Sequence, residues 1–310
     1  MKTIKIKNAD AKKRIDKFLA SFYLEKSRSA WKKEIKKGNV LVNNKTTKPD
    51  YILKENDELA IKKGRTKKNK KGKFPNIEII FENNDVIVLN KPAGVLAQAA
   101  MSSSSPSITD FLKNRYPKIC KVGEDELRFG IVHRLDKDTS GVMIAAKNNE
   151  AFKFLKNQFK ERLTRKTYLA LVYGTVDPKE GAVDLKIGRS KTNPNMQTVI
   201  DSPKKESIKS REALTIYRTL KNYNGFTLLE VQPKTGRMHQ IRVHLKAIGH
   251  PVVGDKKYFF KKNALLEPKM GRQFLHARKL EICISEGKKM AFRSELPQDL
   301  SLFLDKIQQP

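Results

Sequence analysis

The sequence predicts an α+β protein of two domains, the larger built on an extended, mostly antiparallel sheet and the smaller a compact α/β unit at the N-terminus. Three observations lead there. The 310 residues give room for roughly two domains. Helix-spaced and strand-spaced apolar segments are mixed without a strict repeat, which favours α+β over a doubly wound fold. A basic, low-complexity stretch divides the chain near residue 70.

In the first part, Ile15, Phe18, Leu19 and Phe22 recur at i, i+3, i+4 and i+7, one face of an amphipathic helix. Ser27 is placed to cap a second helix that carries Trp31 and Ile35 and stops at Gly38. Val40–Val42 followed by Asn43-Asn44 predicts a tight hairpin, and residues 52–61 a further strand pair. The boundaries expected are a small domain over 1–63, a flexible basic linker over 64–75 and a large domain over 76–310. In the large domain, residues 77–81 and 86–89 read as strands separated by an Asn-rich turn, and Lys91-Pro-Ala-Gly94 turns the chain. Residues 102–106 read as a mobile serine loop, with Ser107 or Thr109 capping the next helix. Asn149 is expected to cap a helix carrying Phe152, Leu155 and Phe159. Residues 168–173 and 226–231 read as strands.

Charge narrows the partner. Lys and Arg number 65 against 33 Asp and Glu, a net of +32, and such a surplus points to a polyanion. The first 75 residues alone carry 24 basic and 8 acidic side chains, a net charge about three times as dense as that of the remainder. Lys32, Lys33, Lys36 and Lys37 fall on the solvent side of the second helix, where phosphates can neutralise them. Apolar residues make up 38% of the chain, and no run approaches the length of a membrane-spanning helix. Two cysteines without CxxC spacing and no visible signal peptide suggest a reducing, cytoplasmic address.

The most informative stretch is residues 129–147, Phe-Gly-Ile-Val-His-Arg-Leu-Asp-Lys-Asp-Thr-Ser-Gly-Val-Met-Ile-Ala-Ala-Lys. Its apolar end reads as a buried strand, so Asp136 lies on a polar turn that leads into the core. Asp, Thr, Ser and Gly are also what a tight turn selects. The longer string His133-Arg134-Leu135-Asp136-x-x-Thr139-Ser140-Gly141 resembles the signature of the RluA/RluD family of RNA pseudouridine synthases. Residues 1–63 resemble the S-four-like RNA-binding domain through Arg14-Ile-Asp16, Ser27-Arg28-Ser29 and the segment from Ile35 to Asn43.

By that resemblance Asp136 is the catalytic carboxylate and Arg134 helps displace the target nucleotide from its stack. Tyr168 packs against the base, and Arg242, in His239-Gln-Ile-Arg242-Val-His244, pairs with the carboxylate. RNA contacts are expected from Arg28 and the four lysines of the second helix, and from His133, Arg237 and His239. Pseudouridine formation breaks the N1–C1′ bond and rejoins C1′ to C5 of the same base. No redox change occurs, so no cofactor or metal is expected. One carboxylate near the ribose can act as a nucleophile at C1′ or as a base at C2′. Base extrusion is required because a stacked nucleotide hides its anomeric carbon.

His239 and His244 are five residues apart, about 140° around a helix, which does not make a metal-ligand pair. The run Gly249-His-Pro-Val-Val-Gly254-Asp255 reads as a turn bordering the site. Gln98 and Met238 depart from the family pattern at positions able to alter substrate choice. The expected partner is RNA, foremost large-subunit ribosomal RNA or its precursor, with no membrane and no obligate protein partner, the chain acting as a monomer. Transfer RNA is the alternative target, and a non-catalytic assembly factor the alternative class. A glycosidase would show paired carboxylates, and no second acid stands out. Deleting residues 1–63 is predicted to weaken RNA binding and flatten its salt dependence; an unchanged slope in a salt titration would remove the small domain from the affinity.

Overall fold

The computed structural model describes residues 2–23, 28–62, 75–99, 105–125, 127–202, 208–261 and 269–308. These form two compact units, one within residues 2–62 and one from residue 75 onward. The predicted linker, apart from Pro75, and the predicted cap Ser27 lie outside the described residues, as do residues 102–104 of the serine loop.

The first unit runs β1 (Lys2–Lys5), α1 (Ile15–Phe22), α2 (Arg28–Lys36), β2 (Val40–Val42), β3 (Lys45–Thr46) and β4 (Glu58–Ile61). Its sheet has the order β1-β4-β2-β3, all antiparallel. Asn43 and Asn44 both take positive φ, 49° and 62°, which a two-residue hairpin turn requires. Ile15, Phe18, Leu19, Trp31 and Ile35 close the core against the sheet. Two expectations are corrected. Phe22 is 55% exposed, because α1 ends there and the residue rides outside the core against Phe18 and Tyr23. Residues 52–61 supply one strand rather than a pair, since the Asp57 carboxylate folds residues 54–57 into a turn. It accepts bonds from the Lys54 amide, Asn43 and Tyr51.

The second unit continues with β5 (Glu78–Glu82), β6 (Val86–Lys91), α3 (Ile108–Arg115), β7 (Ser140–Ala146), α4 (Asn149–Lys160) and β8 (Arg165–Tyr173). There follow β9 (Glu180–Asp184), β10 (Ile187–Arg189), β11 (Gln197–Val199), β12 (Ser210–Arg211), β13 (Leu214–Tyr223) and β14 (Phe226–Pro233). The chain ends with α5 (Gln240–Ala247), β15 (Leu275–Ser285), β16 (Lys288–Arg293) and α6 (Gln298–Gln308). Ser107 caps α3 through a reciprocal capping box with Asp110. The cap of α4 is Asn148, one residue before the position expected, and Asn149 instead bonds the backbone of Gly123 and Lys121.

Among the described residues the main sheet has nine strands in the order β5-β6-β7-β15-β8-β14-β13-β9, with β16 paired to β15. Only the β7–β15 pairing is parallel; the other ladders are antiparallel. The mostly antiparallel α+β architecture therefore agrees with the sequence. Every residue of β7 is buried. On β8 the faces alternate: Tyr168, Ala170 and Val172 pack with Ile241 and Leu245 of α5, while Leu171 and Tyr173 pack with Phe303 of α6. Burying Ile241 and Leu245 contributes about 1.5–3 kcal/mol each and fixes α5 over the sheet. Among the described residues no helix is long and apolar enough to cross a membrane.

Gly141, the second residue of β7, has φ +119°, and a Cβ there would fall onto the Ala277 backbone of β15. Gly141→Ala is predicted to cost more than about 3 kcal/mol, through backbone strain and because β7 and β15 must move apart. Equal melting temperatures for the two proteins would contradict this.

Candidate active site

The polar turn before β7 becomes a fixed loop because its backbone oxygens are claimed by residues far away in the chain. Lys91, fully buried, donates to the carbonyls of Pro92, Val95 and Lys137 at 2.8–3.0 Å. An ammonium has three protons for three acceptors. Burial nevertheless pushes its pKa down to about 7, against the pull of Asp138 and Asp136. On the other side Arg272 donates to the carbonyl of Asp138 at 3.1 Å and is itself held by both oxygens of Asp299 on α6. Gln273 binds the Thr139 hydroxyl, and the Thr139 amide returns to the Asp136 carbonyl. Asp136 thus stands on a loop tied down at three successive residues, its side chain 18% exposed.

Arg242 reaches this carboxylate from the first turn of α5. Its Nη1 donates to Asp136 Oδ2 at 2.8 Å. Its Nε and Nη2 form a two-pronged pair with Asp255 at 2.6 and 2.8 Å. Asp255 is itself buried and accepts the backbone amides of Lys257 and Tyr258 as well. Burial works against the Arg242 charge, but the bonds and charges of Asp255 and Asp136 outweigh it and hold the pKa above the ordinary value. The guanidinium also lies 5.0 Å from the centre of the Tyr258 ring.

Tyr258 links this pair to His239. Its hydroxyl accepts the Gln197 amide at 2.7 Å, leaving its own proton for His239 Nδ1 at 2.8 Å. That assignment puts the imidazole proton on Nε2, 4.0 Å from Asp136 Oδ1. Burial lowers His239 to about 4, so at neutral pH the ring is uncharged. His239 caps α5 in a left-handed conformation, φ 58°.

Asp136, His239 and Arg242 line a cleft of about 550 Å³, within the usual range for small-ligand sites, and the other groups support them from behind. Asp136 is the one carboxylate among the lining residues. Tyr168 lines it from the α5 face of β8, and burial together with the Asp136 charge raises its pKa well above 10, so the phenol keeps its proton. Arg134 lines the cleft with an exposed side chain that has no hydrogen-bonding partner among the described residues. Gln98, Arg237 and Met238 also line it, so both departures from the family pattern face the ligand space.

The structure therefore gathers Asp136, Tyr168 and Arg242 in one cleft, with Arg134 at its wall. His133 serves the protein backbone: Nε2 accepts the Ile144 amide at 3.0 Å, and the ring stacks on Phe159 at 4.5 Å. Burial lowers it to about 3, so it carries no charge for a phosphate. His244 is buried between Thr215 and Leu185, away from His239, and no group of three or more potential ligands for a metal exists among the described residues. In the small unit Lys33, Lys36 and Lys37 are exposed, whereas Arg28 and Lys32 lie 3.0 and 3.6 Å from the buried Asp16 carboxylate. Asp255, Tyr258, Lys91 and Arg272 belong to the site without any sequence pattern that marks them. The run ending at Asp255 has the composition of a turn, but its acid is the anchor of Arg242.

The RNA pseudouridylate synthase family model matches residues 85–247, and the S4 domain model residues 13–59. The chain is 38% identical to "Ribosomal large subunit pseudouridine synthase D" of Borreliella burgdorferi, over 74% of this chain and 68% of that protein. It is 33% identical to an uncharacterized RNA pseudouridine synthase of Bacillus subtilis, over 95% and 94% of the two chains. Among solved structures, human RNA pseudouridylate synthase domain containing 1 superposes with a TM-score of 0.57 at 27% identity. It covers 77% of this chain and 97% of its own. An RNA-modifying isomerase with an S4 domain at its front is what these matches and the fold define. The chain belongs to the RNA pseudouridylate synthase family.

Asp255→Asn is predicted to remove the ionic half of the two-pronged pair and leave Asp136 as the remaining counter-charge of the buried Arg242, at a cost of about 1–3 kcal/mol. It should lower the melting temperature and the turnover together; a loss of turnover at unchanged stability would assign Asp255 a different role.

Proposed function

We propose that this enzyme converts uridine to pseudouridine in large-subunit ribosomal RNA, with Asp136 acting at the ribose of an extruded nucleotide. One observation carries the chemical part of this reading. Asp136 is the sole carboxylate among the residues lining the cleft, and a guanidinium locked on its other edge by Asp255 fixes its direction. The target part rests on similarity to the Borreliella burgdorferi protein, whose name assigns it to the large ribosomal subunit.

Extrusion brings the uridine into the cleft, and Arg134, exposed and without a protein partner among the described residues, is free to fill the space the base leaves. Asp136 then either attacks C1′ or removes a proton from C2′, and in both cases the N1–C1′ bond breaks. The detached base turns and C5 bonds to C1′, as the Asp136–C1′ bond breaks in the first route or the proton returns to C2′ in the second; the C5 proton then leaves while N1 acquires one. Arg242 keeps the carboxylate oriented and offsets its charge as the bond order at C1′ changes. Tyr168 keeps its phenolic proton, so it serves as a packing surface and hydrogen-bond donor rather than as a base.

Lys33, Lys36 and Lys37 of the S4 domain supply exposed charge for phosphates, while Arg28 and Lys32 first offset Asp16. Replacing any one of those three lysines by Gln should lower the salt slope of RNA binding by roughly 0.7–0.9, the share of a single neutralised phosphate.

Mapping pseudouridines in total RNA of cells lacking the protein, then rescuing with wild type or Asp136→Asn, tests the proposal. A large-subunit site restored by wild type and not by Asp136→Asn is expected, with turnover lowered on the order of 10³-fold or more in purified enzyme. Full rescue by Asp136→Asn would leave an assembly role instead, and a site lost only from transfer RNA would move the target.

A further inference from the structure

The rim of the cleft next to Tyr168 carries charge that the reaction chemistry does not use. Arg162 sits in the left-handed turn that ends α4, φ 60°, and is exposed. Lys166 lies on β8, two residues before Tyr168 and so on the same face of the strand. Arg237 comes from the turn between β14 and α5. All three line the cleft, and none forms an ion pair with a carboxylate among the described residues. Lys166 donates to the Thr235 carbonyl at 3.2 Å and Arg237 to the Glu212 carbonyl at 3.0 Å, both neutral acceptors. The nearby Glu212 carboxylate is taken by Lys186 at 3.1 Å.

The cations also act on one another. Lys166 is lowered to about 8, first by burial and then by Arg162. Arg237 is lowered by burial and then by Arg211 and Arg162. Three separate elements thus hold like charges close together over a partly dry cleft, an arrangement that costs free energy until an anion arrives. The planar forks of two arginines suit phosphate oxygens, and an ammonium below them adds a point charge. Two residues of strand span about 7 Å, comparable to the distance from a nucleotide's base to its phosphate. We propose that Arg162, Lys166 and Arg237 form a phosphate subsite that holds one backbone phosphodiester of the RNA beside the extruded uridine. This rests on the reading that RNA enters this cleft for modification.

The test uses the full chain and a large-subunit ribosomal RNA transcript. With Asp136→Asn as background, so that binding proceeds without turnover, the affinity is followed across roughly 50–300 mM KCl for Arg162→Gln, Arg237→Gln and the pair. Each single change is expected to raise Kd about tenfold at low salt and lower the salt slope by about 0.7–0.9. The pair should lose no more slope than one single change, because both arginines hold the same phosphate. In the otherwise wild-type enzyme the loss should appear in KM rather than kcat. A slope unchanged by either substitution overturns the subsite, and so does a slope loss that doubles in the pair, which means two separate phosphates. If the wild-type enzyme fails to modify the transcript while the slopes shift as expected, the target assignment fails and the subsite stands.

Discussion

Arg242 divides its guanidinium between two acids, and much of the second unit is arranged so that it can do so. One edge is given to Asp255 in a two-pronged, buried pair, and an N–H of the other edge points at Asp136. An arginine bound by Asp136 alone could swing with it. Bound first by Asp255, it becomes a rigid part of the wall, and the carboxylate must adopt its direction. The apolar face of α5 holds the helix on the sheet, and Asp255 holds the side chain that the helix presents. Burial makes these interactions stronger and their loss more expensive, since an unpaired charge has no water to turn to.

The loop that carries Asp136 shows the same division of labour by different means. Lys91 and Arg272 take its carbonyls from opposite sides, and Gln273 takes the Thr139 hydroxyl. A polar turn of this composition would ordinarily move with the solvent. Here its backbone groups have fixed partners, so the Asp136 carboxylate is held on a preorganised loop.

Much of this is legible in the sequence where the signal is local. The period of α1, the Asn43-Asn44 turn, the buried strand after Asp136 and the capping serine at 107 all follow from neighbouring residues. Phe22 follows the helical period and still lies outside the core, because periodicity does not say where a helix stops. The motif around Asp136 points to the carboxylate, and the motif around Arg242 to its partner, though 106 residues separate them. Asp255 and Lys91 are hidden for a shared reason: both border short turns with Gly and Pro, where polar residues are expected to face water. A buried ion pair or ammonium leaves no periodic trace. The one hint for Asp255 is an acid shortly after an apolar Pro-Val-Val run. For Lys166 it is the two-residue spacing to Tyr168.

The position of β15 bears on when this enzyme comes into being during synthesis. It is the strand that joins β5-β6-β7 to β8-β14-β13-β9, and it is synthesised after all seven of them. Asp136 belongs to the β7 side and Tyr168 and Arg242 to the β8 side, so the cleft straddles the seam that β15 fills. Until residues 275–285 are made, the two half-sheets lack the strand between them, and Asp299 has yet to secure Arg272. A nascent chain therefore carries the S4 domain well before the two walls of the cleft are joined, and synthesis itself withholds the finished cleft until β15 is in place.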